Sequence, residues 1–140
     1  MGRRLFKELE RSYGFDEVAI VPGQVTINPD LTSTKMAIRD LEFEIPIMAS
    51  AMDGSVSPSF AGQMHNMGGL GVMNAEGLYS RYEDPYSVLE SIISTPQAEV
   101  TEYLQQVYSE PIREDLLGAR VGEIKKSGST CAVSFTPQNT

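Results

Sequence analysis

A nearly unbroken apolar run, IPIMASAM at residues 45–52, stops abruptly at Asp53-Gly54. A continuous run suits a strand covered on both faces, as in a parallel sheet. Just upstream, Leu41, Phe43 and Ile45 alternate with Glu42 and Glu44. That period of two predicts a half-buried strand, within a hairpin over residues 34–46. Earlier still, GFDEVAIVPG (residues 14–23) is a short apolar run closed by Pro-Gly, which predicts a strand and a turn. LFKELERS (residues 5–12) has the spacing of a short amphipathic helix.

Beyond residue 56 the period changes. Ser57-Pro58 pairs an N-cap with a first-turn proline, and Phe60, Ala61, Met64 and Met67 follow at helical spacing until Gly68-Gly69. Residues 70–73 (LGVM) then predict a second short buried strand. Asp84-Pro85 repeats the cap-plus-proline device ahead of Val88, Leu89, Ile92 and Ile93. Thr95-Pro96 repeats it again ahead of Val100, Leu104 and Val107. In REDLLGARVGEIKKSG, Leu117, Val121 and Ile124 share a face, Lys125 and Lys126 occupy the last turn, and Gly128 caps the end. TCAVSF (residues 130–135) predicts a third apolar strand.

Strands alternating with helices imply parallel βα units with right-handed crossovers. The expected class is α/β, the N-terminal part of a (β/α)8 TIM barrel: about three βα units preceded by a β-hairpin extension. A complete barrel takes about 250 residues, so a chain of 140 is expected to be a truncated portion of one such domain, spanning residues 1–140.

Composition narrows the partners. The net charge of −8 repels phosphate backbones, and there is no basic stripe with interleaved aromatics, so nucleic acid is not an expected partner. No window reaches the roughly 18 apolar residues of a membrane span, and the N-terminus lacks the apolar core of a secretory signal. The single cysteine, Cys131, allows no disulfide within the chain; a cytoplasmic setting is the expectation. His65 has no Cys or His neighbours that would make a metal site. GGLGVMN (residues 68–74) departs from G-x-G-x-x-G, and its glycines precede a strand instead of following one. RYEDPY (residues 81–86) mixes opposite charges, as a solvated loop, a lid or a subunit contact would.

In a barrel, chemistry gathers where strands end. Ser50, Met52 and Asp53 leave the first core strand, Asn74 and Glu76 the second, and Thr136 and Gln138 the third. A Ser hydroxyl can bind a sugar or phosphate, and a Met thioether offers a polarizable contact to a heterocycle. Such residues also serve ordinary turns. Cys131 lies within an apolar run with no neighbouring base or cation to activate it.

YGFDEVAIVP, EIPIMASAMDGSVS and GGLGVMN, in this order and spacing, resemble the start of the IMP dehydrogenase/GMP reductase family, from about residue 13 onward. The Pro-Ile-x-x-Ser-Ala-Met-Asp block is the more specific element. NAEGLYSRYEDP (residues 74–85) resembles the branch without CBS domains, and residues 74–129 leave no room for a CBS pair. Dehydrogenases of the family carry a His-x-Asn-like element where this chain has Asn74-Ala75-Glu76.

The resemblance implies a purine-nucleotide pocket contacted by Ser50 and Met52, with Asp53 and Asn74 in support. It implies IMP, XMP or GMP as the bound nucleotide, NAD or NADP as cofactor, and a homo-oligomer for the full-length protein. The implied reaction is hydride exchange at purine C2 through a covalent cysteine adduct. The family's catalytic cysteine belongs to a Gly-rich loop after a later strand, which Cys131 does not match. No catalytic residue is therefore expected in this chain, which would be inactive and poorly folded alone. A non-catalytic truncated protein that associates with full-length subunits is the alternative from another class; a different phosphate-binding barrel is the alternative enzyme.

Overall fold

A computed structural model describes residues 10–139. The chain divides into two units, Met1–Ser33 and Thr34–Thr140. The helix expected at residues 5–12 falls largely outside the described residues. What is described of the first unit is open chain. Glu17 N–H bonds to Gly14 O at 3.0 Å, and a short 3-10 turn, Pro29–Leu31, is capped by the Asn28 side chain. The strand expected at residues 14–23 does not form. An apolar run becomes a strand only when another backbone pairs with it, and none does so among the described residues. Phe15 and Ile20 are fully exposed.

The second unit opens on a hairpin of β1 (Met36–Ile38) and β2 (Leu41–Phe43), antiparallel with Met36 opposite Phe43. Phe43 is buried and Glu42 faces out, as the alternation predicts, but Leu41 is exposed and does not follow it. Arg39, in the two-residue turn, takes φ 53.

A parallel sheet follows in the order β3-β4-β5, made of β3 (Met48–Ala49), β4 (Leu70–Asn74) and β5 (Ala132–Ser134). Met48 pairs with Leu70 and Val72 with Ala132. The central strand is the best covered: Leu70, Gly71 and Met73 are all buried. The run at residues 45–52 was expected to be covered on both faces, but only Met48 and Ala49 form a strand, and Ile47 and Met48 are 56% and 52% exposed. The reason is position. β3 is an outer strand paired through β4 alone among the described residues, and only its Ala49 side meets the core.

Among the described residues, four helices connect the strands: α1 (Pro58–Asn66), α2 (Pro85–Ser94), α3 (Val100–Ser109) and α4 (Glu114–Lys126). The Ser57 hydroxyl accepts the Phe60 N–H at 3.0 Å, and Gly68, at φ 84, supplies the left-handed residue beyond the helix end. Asp84 caps α2 through Ser87 N–H at 3.2 Å and Ser87 Oγ–H at 2.6 Å. The third expected cap does not act as one. Thr95 ends α2, its hydroxyl donating back to Ser91 O, and a turn intervenes before α3 starts at Val100. α1 lies directly on β4: a Cβ at Gly71 would come within 2.7 Å of Ala61 Cα. Val56, Ala61, Met73, Tyr79 and Ile124 form the core, with Phe60, Leu117 and Val133 packed against it.

Candidate functional site

The end of β3 runs into a tight exit turn. Met52 N–H bonds to Ser50 O at 2.8 Å, and both Ser55 N–H and Val56 N–H reach Met52 O at 2.9 Å. Ser50 is exposed and Met52 is 56% exposed, while Asp53 turns inward and keeps only 7% of its surface. A carboxylate removed from water needs donors. Oδ2 takes the Tyr108 hydroxyl at 2.6 Å and the Asn74 amide at 3.5 Å. Oδ1 is buried without a donor among the described residues. Gly77 closes that side: a Cβ there would fall 1.8 Å from Oδ1.

The neighbouring exits are also tied. Asn74 Oδ1 accepts the Glu76 N–H at 3.1 Å. The Glu76 carboxylate in turn accepts both the N–H and the hydroxyl of Thr136, at 3.0 and 2.8 Å, bridging the ends of β4 and β5. Gln138 is exposed and joins no such contact among those described.

Above these exits opens a cleft of about 540 Å³, walled by Met52, Asp53 and Asn74 on one side and by Leu89, Ile92 and Tyr108 on the other. Ser50 stands beside it, outside the wall. A second groove is lined only by the α2–α3 hairpin and its turn, by Ser91, Glu99 and Tyr103 among others.

Tyr108 was not identified from the sequence. Its signal was its position four residues after Leu104 and one after Val107, a polar tip on an apolar stripe. Tyr108 is 39% exposed overall, but the desolvation its hydroxyl does suffer, reinforced by the Asp53 carboxylate, pushes the hydroxyl pKa above the usual tyrosine value. It therefore stays protonated and donates. In RYEDPY, Arg81 and Tyr82 make internal ties, while Glu83, Asp84 and Tyr86 are exposed. Arg81 Nε donates to Glu76 O at 2.9 Å and its guanidinium bonds Glu110 O. Tyr82 Oη donates to Val107 O at 2.8 Å. The bonds to Glu110 O and Val107 O hold the C-terminal end of α3, where free carbonyls favour a cation.

Cys131 precedes β5 and packs partly against the core; burial pushes its thiol pKa up. That is the reverse of what a nucleophile needs. No helix among the described residues is long and apolar enough to cross a membrane.

Comparison with known proteins places this geometry. The sequence model for the IMP dehydrogenase / GMP reductase domain matches residues 12–101. An uncharacterized oxidoreductase of Mycolicibacterium smegmatis is 38% identical over 134 residues, covering 92% of this chain and 36% of the relative. The inosine-5'-monophosphate dehydrogenase of Methanocaldococcus jannaschii is 33% identical over 67 residues, 48% of this chain and 14% of that protein. A crystal structure of an IMP dehydrogenase/GMP reductase-like protein from Corynebacterium glutamicum superposes with a TM-score of 0.84 at 33% identity, over 95% of this chain and 37% of that one. The chain thus spans a little over a third of the length of the mycobacterial relatives it matches. Its parallel strands and crossover helices are the N-terminal part of a (β/α)8 barrel, and the chain belongs to the IMP dehydrogenase/GMP reductase family.

Proposed function

We propose that residues 1–140 are part of a single barrel domain without CBS modules, and that this part supplies one edge of a purine-nucleotide pocket. The complete protein would transfer a hydride between NAD or NADP and C2 of IMP, XMP or GMP. The observation that carries this reading is the Ser50–Asp53 exit turn. It belongs to a family member, leaves Ser50 and Met52 free for a ligand, and buries Asp53 as an anchor beneath them. Ser50 would hydrogen-bond the phosphate or ribose. Met52 would lie against the base. Asp53 and Asn74 would hold the turn in shape. These side chains suit a mononucleotide and do not make a nicotinamide site. The catalytic cysteine is assigned outside this chain, consistent with the raised pKa of Cys131.

Ser50→Ala in the complete protein tests the reading. A lost hydrogen bond to a charged group costs about 1.5–3 kcal/mol, so nucleotide affinity should fall roughly ten-fold or more. Unchanged affinity in a titration would sink the assignment. The 140-residue chain alone should show no NAD(P)-dependent turnover of IMP or GMP. Turnover abolished by Cys131→Ala would overturn that and make Cys131 the nucleophile.

A second reading, a non-catalytic chain that associates with full-length subunits, draws on β3 and β5 being the outer strands of the sheet. Outer strands invite pairing with another chain. Co-purification with full-length subunits, with turnover unchanged, would favour it.

A further inference from the structure

The proposed pocket explains why Ser50 and Met52 are exposed, but it gives no role to the contact that reaches their turn from a helix 55 residues away. Asp53 is held from two sides. On one, Gly77 lies so close to Oδ1 that no side chain fits between them. On the other, the Tyr108 hydroxyl bonds Oδ2 at 2.6 Å, a short charge-assisted contact. Asn74 adds only a long bond of 3.5 Å. The carboxylate therefore sits between a fixed backbone and one strong donor.

Met52 immediately precedes it. Asp53 lies inside the turn closed by the Ser55 and Val56 N–H bonds to Met52 O, so anchoring its side chain restrains the backbone that carries Met52. Tyr108 is itself fixed. Tyr82 and Arg81 bind carbonyls at Val107 and Glu110, on either side of it, and the Arg81 guanidinium lies 5.9 Å from its ring centre.

We propose that Tyr108 is a positioning residue: through Asp53 it sets the orientation of the Ser50–Met52 turn, so that the α2–α3 hairpin controls the shape of the ligand-binding edge. It touches no reacting atom. The link to nucleotide affinity rests on the function proposed above; the link to the turn does not.

The test uses the complete protein with Tyr108→Phe, which keeps the ring and removes the donor, and Tyr103→Phe as a control on the same helix. With methionine methyls labelled with carbon-13, the Met52 signal should shift and broaden in Tyr108→Phe but not in Tyr103→Phe, with or without nucleotide. In steady-state kinetics, KM for the nucleotide should rise about five- to ten-fold with kcat within about two-fold. On an Asp53→Asn background, Tyr108→Phe should add less than about a two-fold change in KM. An unchanged Met52 signal, or full additivity with Asp53→Asn, overturns the inference. If Ser50→Ala leaves nucleotide affinity unchanged while the Met52 signal still moves in Tyr108→Phe, the pocket assignment fails and the positioning role stands.

Discussion

The second unit holds two helical regions together by different means. α1 is packed: Pro58, Ala61, Gly62 and Met64 are buried, and the helix lies against β4 with no side chain between Gly71 and Ala61. The α2–α3 hairpin is tied. α2 buries only Pro85 and α3 only Val107, and Ile93 remains 82% exposed. Its attachment comes from polar bonds instead: Tyr108 to Asp53, Tyr82 to the Val107 carbonyl, Arg81 to the Glu110 carbonyl. Apolar burial is non-directional and tolerant of small shifts, whereas a hydrogen bond fixes distance and angle. The packed region thus carries stability, and the tied region fixes geometry at the strand exits at low cost in buried surface.

Core truncation should separate the two most widely. Met73 is fully buried, so Met73→Ala should cost about 2–5 kcal/mol in urea unfolding of the complete protein. Leu104 is only partly buried, and Leu104→Ala should cost about 1 kcal/mol. Equal costs would break the comparison. Native-state amide exchange should agree, with protection in β4 and α1 exceeding that in α2 and α3.

The helix caps sharpen it further. Ser57→Ala should cost about 1 kcal/mol, read as a lowered unfolding midpoint. Asp84, at the hairpin's cap, responds to pH instead. The Ser87 hydroxyl and N–H hold its carboxyl pKa below the ordinary value. A depressed folded-state pKa gives stability that is present above the unfolded value of about 3.9 and lost as pH falls through the folded one. Amide signals of the first turn of α2 should therefore change on acidification below about pH 4, and in Asp84→Asn that change should disappear. Smallest of all, and outside both regions, Arg39→Gly should relieve the positive φ in the β1–β2 turn and raise stability by under about 1 kcal/mol.

What could be read from the sequence followed the range of the interaction. Ser57-Pro58 and Asp84-Pro85 were legible because a cap is decided within four residues. Thr95-Pro96 looked identical, yet the Thr95 hydroxyl turns back to Ser91, a choice made by the helix already ended. Residues 14–23 had the composition of a strand, but a strand also needs a partner, and composition does not supply one. At the site, the block around Ser50, Met52 and Asp53 was visible through family resemblance. Its anchors were not: Tyr108 and Gly77 reach Asp53 across 55 and 24 positions of chain, and neither stands in a local pattern that names its partner.

The crossover from β4 to β5 bears on how this fold accommodates added length. The register of Asn74 opposite Ser134 closes one long loop, which contains α2, α3 and α4. Loop-closure entropy grows only logarithmically, so doubling such a loop costs about 0.6 kcal/mol. The turn joining α2 to α3, with Pro96 and Glu99 exposed, is a place where a whole module could be spliced in at little thermodynamic expense. An insertion of the same size between Asp53 and Gly77 would instead have to re-close the contact that leaves no room for a Cβ. Growth is thus easiest in the exposed α2–α3 turn, while growth near the strand exits must preserve the close fit of Asp53 against Gly77.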